Sequence, residues 1–302
     1  MPNYNDYSTW IRNRFAYRVQ KISVNGGFTC PNRDGKLSRG GCTFCDNRSF
    51  NPSYCQQTSS IRQQLTEGKA FFARKYPTMK YLAYFQAYSN TYAPLDVLKA
   101  RYEEALSVDD VVGIVIGTRP DCIDTPLLDY LEQLNRQTFL IMEYGIESTH
   151  DATLQRINRG HDFACSQRAV EATHARGILV GAHVIIGLPG EDKTMLQEEA
   201  LTLSSLPIDL LKIHQLQLLQ GTRLAQEYAR QPFPLYHVDD YIHLLGEYLP
   251  YLRKDIVIER FVSQSPANLL IAPRWKMKNH EFVHRLDSYL QTHGIYQGSI
   301  FE

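Results

Sequence analysis

Six short runs rich in β-branched and aromatic residues return at intervals of roughly thirty residues through most of the chain: Arg18 to Val24, Tyr81 to Gln86, Val111 to Ile116, Phe139 to Tyr144, Leu179 to Ile186 and Leu210 to Leu216. Each reads as a strand buried on both faces, because its apolar residues run on without the strict alternation of a half-solvated sheet. The stretches between them carry helical spacing and helix-start signals: Thr58-Ser-Ser before Ile61, Pro94 at a first turn, Asp124-Thr-Pro126, and Asp162 before Phe163 to Arg176. A βα unit repeated about six times implies an α/β protein with right-handed crossovers between parallel strands, hence a doubly wound sheet or a barrel. Either architecture puts ligands at the carboxyl ends of the strands. After about residue 218 the alternation weakens: Gly221 to Arg230 and Val238 to Leu249 read as helices, Asp255 to Val262 as a strand and Asn279 to Thr292 as a last helix. We read residues 1–220 as the core, with its chemistry-bearing loop at 25–55, and residues 221–302 as an extension packed on it.

With 302 residues, 43% of them hydrophobic, the chain can bury one core of that size. Lys plus Arg and Asp plus Glu each number 32, so no bulk basic field draws it onto nucleic acid. Residues 1–50 are locally basic: Arg12, Arg14, Arg18, Lys21, Arg33, Lys36, Arg39 and Arg48 stand against Asp6, Asp34 and Asp46, a net of +5. That segment is either a patch for RNA or a solvated face. No run approaches the roughly 18 apolar residues of a membrane span. Met1 to Tyr7 hold no basic region followed by an apolar one. The expected location is the cytoplasm, with no membrane partner.

In a reducing compartment the six cysteines are read as chemistry or packing rather than as three disulfides. Cys30, Cys42 and Cys45 have the spacing C-x11-C-x2-C, in a loop with Gly26, Gly27, Gly40 and Gly41 that begins where the first strand ends. Such a flexible backbone lets three sulfurs converge. A structural zinc takes four closed ligands, usually with a histidine or a second C-x2-C, and the first histidine here is His150. Iron–sulfur clusters are normally held by four thiolates, so three close cysteines point to a cubane with one iron open to a ligand. Cys55, ten positions beyond Cys45, either closes the cluster and makes an electron carrier or is one more small buried residue. Cys122 and Cys165 read as packing residues.

At these residues the chain resembles the radical S-adenosylmethionine (SAM) superfamily. Within it the likeness is to the branch of the Elongator catalytic subunit and the oxygen-independent coproporphyrinogen oxidase, and most closely to the YhcC/YtqA-like proteins. The long first gap and the aromatic Phe44 before the last cysteine carry the resemblance. It implies a partial (β/α)6 TIM-like radical SAM barrel with a C-terminal α/β extension, and a [4Fe–4S] cluster on Cys30, Cys42 and Cys45. It also implies SAM on the open iron, where one electron, from a donor such as flavodoxin or ferredoxin, yields a 5′-deoxyadenosyl radical.

The strand-end motifs extend the resemblance to SAM itself. Phe44 borders the cofactor. Glu147, in Glu143-Tyr-Gly-Ile-Glu-Ser148, stands where relatives carry a glutamine on the ribose. Arg159, twelve positions later, holds the SAM carboxylate by a bidentate, charge-assisted pair. Gly187, in Gly187-Leu-Pro-Gly, lies near the adenine, and His183 is either on the ribose or a structural histidine. Gly117-Thr-Arg-Pro-Asp has glycine where relatives carry an acid. Residues of the segment Gln86 to Thr91, Gln86 and Asn90 among them, are therefore candidates for the SAM ammonium. Lys212 and His214 share strand parity and face the cavity or a polar barrel interior.

Three classes of function follow. The first is a radical SAM enzyme on a tRNA anticodon loop, acting on the C5 side chain of the wobble uridine. It draws on the basic first segment and on Arg274-Trp-Lys-Met-Lys278, where an aromatic between cations offers stacking and phosphate contacts. The second is a radical SAM enzyme on a small molecule such as a tetrapyrrole, for which an added substrate domain is expected. The third is a non-catalytic iron–sulfur electron carrier, which needs a fourth ligand. The first is the expectation.

Overall fold

A computed structural model describes residues 2–49, 52, 54–55, 59–73 and 78–301; Thr58, one of the helix-start signals, lies outside them. The expected strands are β1 Val19–Val24, β2 Lys80–Phe85, β3 Val111–Thr118, β4 Phe139–Glu147, β5 Leu179–Ile186 and β6 Leu210–Gln215. They pair in parallel in chain order. Beyond them β7 Leu218–Leu219 and β9 Leu270–Ala272 form a small antiparallel pair, while β8 Val257–Arg260 joins the main sheet beside β6. The main sheet thus takes its seventh strand from beyond residue 220.

Helix α1 Tyr7–Arg14 precedes the sheet, and the remaining helices are α2 Ile61–Ala73, α3 Leu95–Leu106, α4 Thr125–Asn135, α5 Asp151–Arg156, α6 Phe163–His174, α7 Lys193–Ser205, α8 Arg223–Arg230, α9 Val238–Tyr248 and α10 Asn279–His293. Asp124 and Asp162 cap α4 and α6 as expected, accepting from Leu127 N and Cys165 N; a side-chain oxygen there satisfies an otherwise orphan amide.

Seven strands laid flat would put the outer two about 29 Å apart at the usual spacing. Here Lys21 Nζ on β1 lies 2.6 Å from Glu259 Oε2 on β8, so the sheet curls into a half-barrel. Alternate residues divide between its faces. Ile22, Phe85, Ile116, Met142, Val180 and Leu211 turn outward into the core beneath the helices. The inward residues form tiers. At the amino ends, Leu82, Val115, Ile141, Leu210 and Val257 make an apolar plug with Tyr7 and Trp10 of α1 and with Phe139. Above it lies a charged tier and then the cavity. The backbone before α1 also covers the last strand: Ile258 N donates to Asn5 O at 2.8 Å, which removes an open edge. No helix among the described residues is long and apolar enough to cross a membrane.

Candidate active site

The carboxyl ends of the strands and the loop after β1 enclose an open cavity of about 1200 Å³. The loop is tied down at both ends. Gln64 of α2 accepts from Asn25 N at 2.7 Å and donates to Asn25 O at 3.0 Å. Further along, Asn32 Nδ2 donates to Asn158 O at 2.6 Å, Asn158 Nδ2 to Gly41 O at 2.8 Å and Thr43 N to Ile157 O at 2.9 Å. The turn after α5, where Asn158 takes a left-handed φ of 55°, is therefore clamped to the cysteine loop.

Cys30, Cys42 and Cys45 all line the cavity. Arg159 Nη1 lies 3.5 Å and Asn32 Nδ2 3.6 Å from Cys42 Sγ, and Asn47 Nδ2 lies 3.7 Å from Cys45 Sγ. Burial, then the neighbouring Cys42, push the Cys45 thiol up to about 11, against the pull of Arg33. Among the described residues no three His, Cys, Asp or Glu are placed around a single metal ion. In a cubane each sulfur takes a different iron, and cations and amide donors such as these stabilise the thiolates. Cys55 is elsewhere: its Sγ donates to Ser23 O of β1 at 2.8 Å, and burial pushes its thiol up to about 12. Cys122 lies in the loop after β3 and Cys165 on α6, and neither lines the cavity.

Phe44, Gln86, Glu147, Arg159 and His183 line the same cavity. Arg159 is buried; its Nη2 donates to Gly145 O and stands 3.7 Å from Glu147 Oε1. Glycine at 145 makes this possible, because a Cβ there would lie 2.5 Å from Glu147 Oε1 and 2.9 Å from Arg159 Nη2. Glu147 sits at a register shift between β4 and β5 with a φ of 70°. Burial raises its carboxyl, opposed by Arg159 and Arg119. Phe44 packs toward Ile185, Leu216 and Leu218, the apolar wall.

Two expected residues lie outside this lining. Asn90 is fully buried, its Nδ2 donating to Gly117 O at 2.7 Å. Gly187, at a φ of +96°, faces Tyr236 in a small adjoining cavity. Their backbone turns were legible, but the direction each turn takes is set by packing partners far away in the sequence.

The charged tier beneath was only half foreseen, through Lys212 and His214. Glu143, 1% exposed, receives Lys21 Nζ at 2.8 Å on one oxygen and Lys212 Nζ at 2.6 Å and His183 Nε2 at 3.0 Å on the other. A carboxylate only accepts, so His183 carries its hydrogen on Nε2. Glu259 closes the set, 2.6 Å from Lys21 and 3.1 Å from Lys212, and Lys212 donates to Tyr84 OH at 3.0 Å. The attraction of two lysines, with His183, outweighs burial and holds the Glu143 carboxyl well below its usual range. Burial brings Lys212 down to about 8. Glycine at 181 leaves room for Glu143, whose Cγ would be 2.9 Å from an added Cβ. Lys21 and Glu143 were visible as charges at inward positions of otherwise apolar strands.

Residues 29–203 match the Radical SAM superfamily and residues 208–292 the Radical SAM C-terminal domain. YtqA of Bacillus subtilis (strain 168) is 37% identical over 299 residues, 99% of this chain and 93% of that protein. The tRNA uridine(34) acetyltransferase of Methanocaldococcus jannaschii is 23% identical over 201 residues, 64% of this chain and 36% of that one. Among solved structures, the archaeal Methanocaldococcus infernus Elp3 with its N-terminus deleted shares the fold, with a TM-score of 0.68 at 16% identity over 93% of this chain and 64% of that one. With more than half of its length matched and a relative alike from end to end, the chain belongs to the radical SAM superfamily.

Proposed function

We propose that this radical SAM enzyme modifies the C5 side chain of the wobble uridine of a tRNA, in a cavity where Cys30, Cys42 and Cys45 hold the [4Fe–4S] cluster and Arg159 takes the carboxylate of SAM. With SAM bound, the cluster supplies a carbon-centred radical. The protein's part is to position the two cofactors, exclude water and present the substrate. The observation that carries the cofactor reading is Arg159, a buried guanidinium in the same cavity as the three thiols, 3.5 Å from Cys42 Sγ.

Support for tRNA comes from the likeness to the tRNA uridine(34) acetyltransferase across that protein's shared segment and from exposed cations on the loop whose cysteines line the cavity. Lys36 and Arg39 are exposed on the cysteine loop. Arg48, also exposed, is engaged with Asp46 at 2.5 Å. The basic first segment is not one patch, however. Arg12, Arg14 and Arg18 lie on α1 and before β1, at the amino end of the sheet opposite the cavity, and Lys21 is in the interior tier. The stacking role expected of Trp275 also needs correction: it is half-buried, its Nε1 donates to Tyr236 O at 3.1 Å and its ring stacks on Phe282, so it packs on the core. RNA contact therefore falls to Lys36, Arg39 and the cations flanking Trp275. An anticodon loop suits such a mouth, because RNA is read mostly through unpaired, splayed bases.

Arg159→Ala leaves iron content unchanged and weakens SAM binding roughly ten- to hundredfold, the loss of a charge-assisted pair of about 1.5–3 kcal/mol; equilibrium SAM binding on the reconstituted protein measures it, and unchanged affinity rejects the role. Removing Lys36 and Arg39 together lowers the slope of log binding against log salt by about 0.7–0.9 for each phosphate that the protein no longer neutralises. A tRNA titration across a salt series reads this, and an unaltered slope takes both residues out of the interface. Nucleoside mass spectrometry on tRNA from a strain lacking the protein tests the substrate. An altered wobble uridine is expected, and an unaltered nucleoside profile removes that substrate.

A further inference from the structure

Among the described residues, the charged tier of the half-barrel holds three cations, Lys21, Lys212 and Arg260, against two carboxylates, Glu143 and Glu259. Both carboxylates are taken up by the two lysines at 2.6–3.1 Å, and Glu147, further along the same face, lies 3.7 Å from Arg159. Among the described residues no carboxylate lies within ion-pair distance of Arg260. Its Nε and Nη2 donate to His214 Nε2 at 3.1 and 2.5 Å, and its Nη1 has no hydrogen-bond partner among the described residues. His214 does not balance the charge, because burial and Arg260 hold it neutral, well below the usual histidine range. His183, stacked on His214 with centroids 5.6 Å apart, is also neutral, brought down to about 4 by burial. Arg260 lines the same cavity as the three cysteines.

Arg260 is half-buried, and with only neutral partners its charge is left for an anion to meet. One unmatched charge fits a monoanion better than a dianion, which would also sit against Glu143. The planar guanidinium fork, one nitrogen still free, matches a carboxylate. We infer that Arg260, oriented by His214, binds a carboxylate of the substrate and is the residue that selects the substrate inside the cavity. The inference rests on the tRNA reading for what carries that group, a wobble uridine whose C5 side chain ends in a carboxylate.

The test uses holoprotein and two synthetic anticodon stem-loops, one with a C5 carboxymethyl group on the wobble uridine and one with its neutral amide, carbamoylmethyl. Wild-type protein binds the acid at least tenfold more tightly than the amide. Arg260→Met binds the two alike, Arg260→Lys keeps part of the preference, and both variants retain wild-type iron content and SAM affinity. Equal binding of acid and amide by the wild type, or a preference that survives Arg260→Met, overturns the inference and leaves the RNA reading standing. Arg260→Met with weakened SAM binding also overturns it, since Arg260 would then serve the cofactor. If neither stem-loop binds, the RNA reading fails. The carboxylate site is then decided by ¹³C-acetate NMR: binding to wild type that is abolished in Arg260→Met upholds it, and no binding rejects it.

Discussion

Cys42→Ala protein, reconstituted anaerobically, fails to assemble the cluster, whereas Cys55→Ala loads iron as the wild type does. Three thiolates are the fewest that fix a cubane with one open iron, and removing one leaves two anchors in a loop rich in glycine. Cys42 is the most embedded of the three, with Arg159 at 3.5 Å and Asn32 at 3.6 Å from its sulfur. Its removal also strands a buried guanidinium. Cys55 is hydrogen-bonded to Ser23 O of β1 and does not line the cavity. Iron and sulfide analysis with the charge-transfer absorption decides the matter: full loading of Cys42→Ala, or cluster loss in Cys55→Ala, contradicts the assignment.

Glu143→Gln lowers the stability of the protein by about 3–5 kcal/mol, the usual cost of removing one partner from a buried ion network. The shape of the side chain is kept, but Lys21 and Lys212 are left with Glu259 alone, and Lys212, already brought down to about 8, is driven further toward its neutral form. Urea unfolding at neutral pH measures the loss; a difference under about 1 kcal/mol shows that the network is not holding the half-barrel together. Acid acts on the same tier. His183 falls from 6.5 to about 4 in the folded protein, so it contributes stability above about pH 6.5 that drains away as pH drops toward 4. Glu143, held below 4.5, adds its own loss below that point. Stability of the wild type therefore declines from about pH 6.5 downward, and His183→Asn flattens the upper part of the decline.

The strands were legible because parallel strands buried on both faces leave continuous apolar runs, and all six keep their positions to within about three residues at either end. Cys30, Cys42 and Cys45, singled out by their spacing, and Arg159, singled out by the family resemblance, line one cavity. Helix α1 was not legible. It is eight residues long with Ile11 as its one buried residue, too short to announce itself by periodicity. What holds it is the packing of Trp10 on Phe139, 6.3 Å between centroids, and the backbone bridge before it to β8, both made across more than a hundred residues of chain. The same reason hid Arg260 and Glu259. On a four-residue strand their inward direction depends on β8 finding β6, which the local pattern does not state. Trp275 misled because an aromatic between cations looks alike whether its ring faces RNA or a phenylalanine.

The most direct measurement is release of 5′-deoxyadenosine by the reconstituted protein with SAM and a strong reductant, with and without undermodified tRNA. Slow release is predicted from the protein alone, a marked increase with that tRNA, and none from Cys42→Ala. Release that tRNA leaves unchanged contradicts the proposed substrate, and no release from a fully loaded cluster contradicts the chemistry assigned to the cavity.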